Sequence, residues 1–250
     1  MVYGLWQSAG GLQAQDYRQT VLANNLANAD TTGFKADRVS FVERLNAARS
    51  KGGPSASDLS GMTGGVFEAP LFTDFSQGPM IPSDNRFDLA VQGEGFFKVQ
   101  TKDGVRVTRD GQLMMDKDGM LVHASTGGAM LDVSGRPIFI NSTLVDKLRI
   151  DENGLIRQNE AIAGQLALVD FAEPQTLEKA GRNLFNSDKA RPTAAKGQIR
   201  QNFTEGSGVE PVKELVDLMS ASRAYQLNAT MISLQDESLG RVVNQLGRIS

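Results

Sequence analysis

The last forty residues constrain the chain most. Counted in sevens from Leu218, the sequence places Tyr225, Ile232, Leu239 and Leu246 in an unbroken apolar column. A companion column of Leu215, Ser222, Ala229, Asp236 and Val243 is smaller and half polar. A seven-residue apolar repeat with no proline after Pro211 predicts one long helix presenting a seam to other helices. At 1.5 Å per residue that helix is about 58 Å long, more than a small domain can cover. Asn228, Thr230, Ser233, Ser238 and Gly240 give it mediocre intrinsic propensity, so the seam must be buried for the helix to persist. The partner that buries it is the question the sequence poses.

A second helix is expected over residues 3–29, where Leu5, Ala9, Leu12, Leu22 and Leu26 share a face interrupted by Gln15, Asp16 and Gln19. Such a broken stripe makes a poor independent helix but can lie along another amphipathic one. The segment ends in ANNLANADTTGFK, residues 23–35. Asn24, Asn25 and Asn28 near a helix end read first as caps and turn residues, because Asn tolerates the left-handed conformation. The alternative is that they hydrogen-bond across a seam and fix its register. Gly33 allows a sharp exit and Phe34 an anchor. Residues 46–65 are rich in Gly, Ser and Ala and read as a linker.

From about Phe72 to Asp188 the period changes. Short apolar runs are separated by Asp103-Gly104, Asp110-Gly111, Asp118-Gly119 and Asn153-Gly154, which read as hairpin signals. The expected fold is therefore α+β: long N- and C-terminal helices, paired in a coiled-coil-like way, around a central, mostly antiparallel β domain. The expected division is an N-terminal helix at 1–35, a linker and extended segment at 36–71, the β domain at 72–188, a return segment at 189–208 and the C-terminal helix at 209–250.

Composition excludes several classes. The net charge of −3 argues against a nucleic-acid surface, and the absence of cysteine removes disulfides and thiol chemistry. No run approaches a membrane span, and the N-terminus lacks a signal-peptide pattern. Gly93-Glu94-Gly95 is a bare G-x-G among strand signals and reads as a bend. His123, the single histidine, has no Ser or carboxylate motif near it in sequence and reads as a surface or strand residue. Asp116-x-Asp118-Gly119 and Asp151-x-Asn153-Gly154 are fragments of a calcium loop without its terminal Glu and read as turns. The sequence thus yields no catalytic residue, no metal site and no cofactor.

Three stretches together resemble the flagellar basal-body rod protein family, which includes rod and hook subunits. They are ANNLANADTTGFK at 23–35, FDLAVQGEGFFKV with TRDGQLMMDKDGMLV at 87–99 and 108–122, and VEPVKELVDLMSASRAYQLNATMIS at 209–233. Length and the YGLWQSAGG opening are closer to the proximal rod subunit than to distal rod or hook subunits. One departure is Gly208 and Glu210 ahead of the last helix, where Glu210 is a weak N-cap before Pro211. The resemblance implies a non-enzymatic subunit whose terminal helices pair and pack with other copies and other flagellar rod proteins into a torque-transmitting helical tube. It also implies a basal-body location in the periplasmic space and passage through the flagellar export apparatus without a cleavable signal. The assembly residues it points to are Leu5, Leu12, Leu22, Asn25, Leu26 and Asn28 at the front. At the back they are Leu215, Leu218, Tyr225, Ile232, Leu239 and Leu246. Rival readings are a distal rod or hook subunit, a coiled-coil adaptor with a β-rich head, and a β-domain hydrolase using paired carboxylates.

Overall fold

The computed structural model describes residues 2–43, 66–68, 71–159 and 161–246. The linker expected at 46–65 lies outside the described residues. The chain is α+β and divides into two compact units, one built from Met1–Ala27, Asp37–Phe72 and Glu210–Ser250, the other from Asn28–Ala36 and Thr73–Val209.

The first unit contains two helices, α1 (Val2–Ala27) and α2 (Pro211–Leu246). Pro211 takes the first helical position, where its missing N–H costs nothing, and the Glu214 N–H closes the first turn on the Glu210 carbonyl at 3.0 Å. The helices run antiparallel. Gly4 lies beside Gln235, Gly11 beside Asn228, and Arg18 beside Asp217 at 3.6 Å. This unit also holds a short antiparallel ladder, Phe41–Glu43 with Val66–Glu68, and the strand Asp37–Arg38.

The second unit is β-rich, and every named strand pair within it is antiparallel. Its largest sheet centres on Phe96–Thr101, paired with Gly104–Thr108, Ala129–Met130 and Leu168–Phe171. A three-stranded meander covers Leu148–Ile150, Leu155–Gln158 and Ala161–Gln165. Alternate strand residues such as Phe97, Val99, Leu121, Met130 and Ile156 meet in one fully buried cluster. A second cluster stacks Phe96, Phe171 and Phe185 with Phe75 in edge-on and tilted contacts.

Three of the four Gly-containing dipeptides mark hairpins. Gly119 and Gly154 take positive φ in turns closed by Gly119 N–H to Asp116 O and Gly154 N–H to Asp151 O. Gly104 follows the two-residue loop Lys102-Asp103. Asp110-Gly111 does not form a hairpin. Gly111 is there because a Cβ on it would lie 1.8 Å from the Leu89 carbonyl oxygen, so only hydrogen fits.

The segment expected to be a return at 189–208 contains three strands. Pro192–Ala194 pairs with Leu168–Phe171, Gln198–Gln201 with Leu89–Gln92, and Phe203–Glu205 with Met80–Pro82. Gln-Ile-Arg-Gln offers one apolar residue, Ile199, to the core, so its alternation is too sparse to read from sequence.

Candidate assembly surface

On α2, Glu214, Leu218, Ala221, Tyr225, Asn228, Ile232, Gln235 and Leu239 are withdrawn from solvent in steps of four and three, with Asp217, Ser222 and Ala224 half-buried beside them. On α1, Gly4, Ser8, Gly11, Gln15, Arg18, Leu22 and Asn25 are withdrawn from solvent with the same alternation, and Gly4, Gly11, Arg18 and Gln19 lie against α2. The column of Leu218, Tyr225, Ile232 and Leu239 is half-buried along its length. The companion column is corrected. It follows Leu218 by three positions and consists of Glu214, Ala221, Asn228 and Gln235, whereas Leu215 is 48% exposed and Ala229 and Asp236 face solvent. Two of these, Asn228 and Gln235, lie against glycines of α1. A Cβ on Gly11 would stand 3.3 Å from the Asn228 amide, and one on Gly4 would stand 3.1 Å from that of Gln235.

The apolar stripe read on α1 changes in the same way. Leu22 is buried and Leu5, Leu12 and Leu26 are half-buried, but Ala9 is exposed. Gln15 and Gln19, expected to interrupt the stripe, belong to the contact, and the Gln19 amide reaches the Ala221 carbonyl at 3.5 Å. Ala14 and Val21 are buried without having been singled out. Leu246 closes α2, and its side chain lies outside the described residues.

Asn25 is fully buried inside the last turns of α1, with no positive φ, so it is not a left-handed cap. Its amide donates to the Asp37 carbonyl at 2.8 Å and accepts from the Asp37 N–H at 3.0 Å. The next residue, Arg38, reaches the buried Glu214 carboxylate at 3.4 Å. Asn25 thus serves the helix pair through a relay. It fixes Asp37, and Arg38 grips α2. Asn28 lies beyond α1 and turns the chain, accepting at its carbonyl from the Thr31 N–H at 3.1 Å and at Oδ1 from the Thr31 hydroxyl at 3.2 Å.

The opposite face of α2 carries Val212, Leu215, Val216, Met219, Leu227, Met231 and Leu234, each at least 48% exposed. A helix with apolar residues on two opposed faces covers one and offers the other.

In the second unit, the signature segment 28–36 is clasped onto the β-rich fold. Gly33, at φ +66°, donates to the Glu205 carbonyl at 2.7 Å, and a Cβ on it would strike the Asp110 backbone at 2.6 Å. Phe34 packs with Ala36 and Val209 under the Lys179 ammonium, 4.5 Å from its ring centre. Lys35 is 1% exposed and donates to Glu205 Oε1 at 2.6 Å and to the Ser76 carbonyl at 2.7 Å. Burial holds its ammonium below the ordinary lysine range, against the opposing pull of Glu205. Glu205 also accepts from the Gly78 N–H at 3.0 Å and stands 3.6 Å from Arg109. Pairing of Lys35 with Glu205 was invisible in the sequence, because nothing local marks two charges so far apart in the chain.

His123 is fully buried, which overturns the surface option. Nε2 lies 3.1 Å from Asp110 Oδ2 and Nδ1 lies 2.9 Å from the Thr126 hydroxyl. Sealed from solvent in a strand, it ties that strand to the Asp110 segment. Among the described residues no group of three or more His, Asp or Glu could hold a metal ion. No described helix is long and apolar enough to cross a membrane.

Three family models match the chain. They describe the flagella basal body rod protein at residues 7–35, the flagellar hook protein FlgE/F/G D1 domain at 90–158, and the flagellar basal body rod FlgEFG protein C-terminal region at 200–246. A flagellar basal-body rod protein FlgG of Buchnera aphidicola subsp. Schizaphis graminum is 32% identical, over 97% of this chain and 99% of its own. A flagellar basal-body rod protein FlgF of Caulobacter vibrioides is 34% identical over 92% of each. The FlgG of Borreliella burgdorferi is 30% identical over 99% of this chain and all of its own.

Proposed function

The chain belongs to the flagellar basal-body rod protein family and is a structural subunit of the bacterial flagellar rod, and on that premise we propose how it is built in. The α1–α2 pair acts as a coiled-coil-like rod element within each subunit. The outward stripe of α2 packs against neighbouring copies and other rod proteins. A surface that binds a different surface on the next copy repeats along a screw axis and yields an open filament, here a helical tube that transmits torque. The terminal seams and Asn25 are the assembly residues, the β-rich unit is a separate domain, and the reading assigns the chain no catalytic role and no cofactor. Export follows the flagellar apparatus into the periplasmic space.

The observation that carries this reading is the second apolar face of α2, from Val212 to Leu234, which the subunit itself leaves exposed. Electron microscopy of intact basal bodies carrying a labelled copy tests it and also reads the position along the rod. Density confined to the rod is expected. Label in the cytoplasm or on the surrounding rings alone, with rods complete, would overturn the assignment.

A further inference from the structure

We infer that a cleft in the β-rich unit, lined by Arg109 and the rings of Phe75, Phe96 and Phe171, binds an uncharged peptide segment of another protein through an amide and an adjoining apolar side chain. The site lies wholly within that unit, and the inference does not depend on membership in a rod.

The walls follow from the strand pattern. Phe96 lies opposite Val169 on paired strands, and Phe171, two residues on from Val169, points to the same face. There the Phe96 ring meets those of Phe75 and Phe171 edge-on, each at 5.8 Å. Arg109 leaves the end of the strand Gly104–Thr108 and lies over Phe96, its guanidinium carbon 4.9 Å from the ring centre. The cleft these residues line measures about 460 Å³, within the roughly 300–1,000 Å³ of small-ligand sites.

Charge in the cleft is balanced, and hydrogen bonding is not. Arg109 and Lys196 bring two cations to the lining, Glu94 and Asp170 two carboxylates. Beneath it, the Glu205 carboxylate stands 3.6 Å from Arg109 and is itself paired with Lys35. A ligand of either net charge therefore finds no excess of the opposite sign. Arg109 is 5% exposed, and burial lowers its pKa from the ordinary arginine value, while Glu205, Asp170 and Glu94 act in the opposite sense. Among the described residues its guanidinium makes one hydrogen bond, from Nη1 to the Gly93 carbonyl at 2.8 Å, and its Nε–H is buried without a partner. A buried donor left in that state costs free energy until an acceptor reaches the group. An amide meets both needs without adding charge: its oxygen accepts from the guanidinium and its N–H donates to a carboxylate. The three rings favour an apolar group beside that amide. A peptide bond next to an apolar side chain has both parts. The strand Pro192–Ala194 borders the cleft and is paired on one side only, with Leu168–Phe171, so an extended peptide there also meets an open backbone edge.

The test titrates the full chain with four small probes and follows backbone amide shifts by nuclear magnetic resonance. N-acetylphenylalaninamide is the uncharged amide, N-acetylphenylalanine adds a carboxylate, phenylalaninamide adds an ammonium, and methyl glucoside offers hydroxyls without an amide. The uncharged amide is expected to give saturable shifts at millimolar concentration, confined to Glu94, Phe96, Arg109, Asp170 and their neighbours. Either charged analogue should bind about fivefold more weakly or worse, since it buries a charge with no surplus partner. The glucoside should give no saturable shift. Arg109→Met should abolish binding. Because Arg109 also contacts Glu205, Asp170→Ala at a half-buried position decides the matter: it should weaken binding about fivefold with little change in melting temperature. No saturable shift with the uncharged amide would overturn the proposal. So would equal or tighter binding of a charged analogue, which would make the cleft a charge site. Binding of the glucoside in place of the amide, which would make it a saccharide site, or full affinity in Asp170→Ala would overturn it as well.

Discussion

Asn25 and Asp37 exchange two hydrogen bonds, amide to carbonyl at 2.8 Å and N–H to amide oxygen at 3.0 Å, so the side chain imitates a strand partner for one residue of backbone. Both cap substitutes therefore fail. Asn25→Gly and Asn25→Ala each remove both hydrogen bonds from the half-buried Asp37 backbone, at about 1–3 kcal/mol. Thermal melting followed by helical circular dichroism should show both variants destabilised. A silent Asn25→Gly would return the residue to the role of a helix cap. Assembly into rods should suffer in both, because Arg38 loses its fixed approach to Glu214.

The two faces of α2 should respond differently to charge. Ile232→Asp places a carboxylate in the half-buried seam and should lower both melting temperature and assembly. Leu227→Asp sits at a position 68% exposed and should leave the free chain within about 0.5 kcal/mol of its original stability. Rod formation, scored by motility and by isolated basal bodies, should nevertheless be lost. Equal destabilisation of the free chain by both would contradict the separation of the faces.

Gly111→Ala should be among the most damaging single methyl additions. The new Cβ meets the Leu89 carbonyl carbon at 2.7 Å as well as its oxygen, and neither is a flexible side-chain end. A loss on the order of 3 kcal/mol is expected in denaturant unfolding of the β-rich unit. Gly127→Ala, whose Cβ would meet nothing within 4 Å, is the control for substitution at a glycine, its φ of +67° adding modest strain only.

Lys35 makes a prediction for alkaline pH. Burial lowers its folded pKa below the ordinary 10.5, so between the two values the unfolded chain holds more protons than the folded one. Stability contributed by this group therefore rises with pH across that window. Lys35→Met should remove that rise. Melting temperatures measured from neutral pH to 10.5 on both chains give the difference, and parallel curves would refute the assignment.

Much of the architecture was legible because it rests on period. Leu218, Tyr225, Ile232 and Leu239 repeat in sevens, and Gly119 and Gly154 mark hairpins by a conformation few other residues adopt. The companion column was not legible, because Leu215 is the more apolar choice and only the glycines of α1 explain why Asn228 and Gln235 lie inside. Leu215 belongs instead to the outward stripe, which a two-column seam cannot reveal. Asn25 could be singled out as a hydrogen-bonding side chain, but its partner, the Asp37 backbone and not a residue across the seam, was not legible. Lys35, Glu205 and the His123–Asp110 contact escaped altogether, since pairing across the chain leaves no local trace.

Site-specific photo-crosslinking in assembled basal bodies tests the central claim most directly. A photoreactive residue replacing Leu227 or Leu234, on the outward stripe, should link to another rod subunit in high yield, whereas one replacing Val105 on the β-rich unit serves as reference. The account predicts covalent subunit pairs from the α2 positions whenever rods are present. Complete rods with no intersubunit product from either α2 position would contradict it.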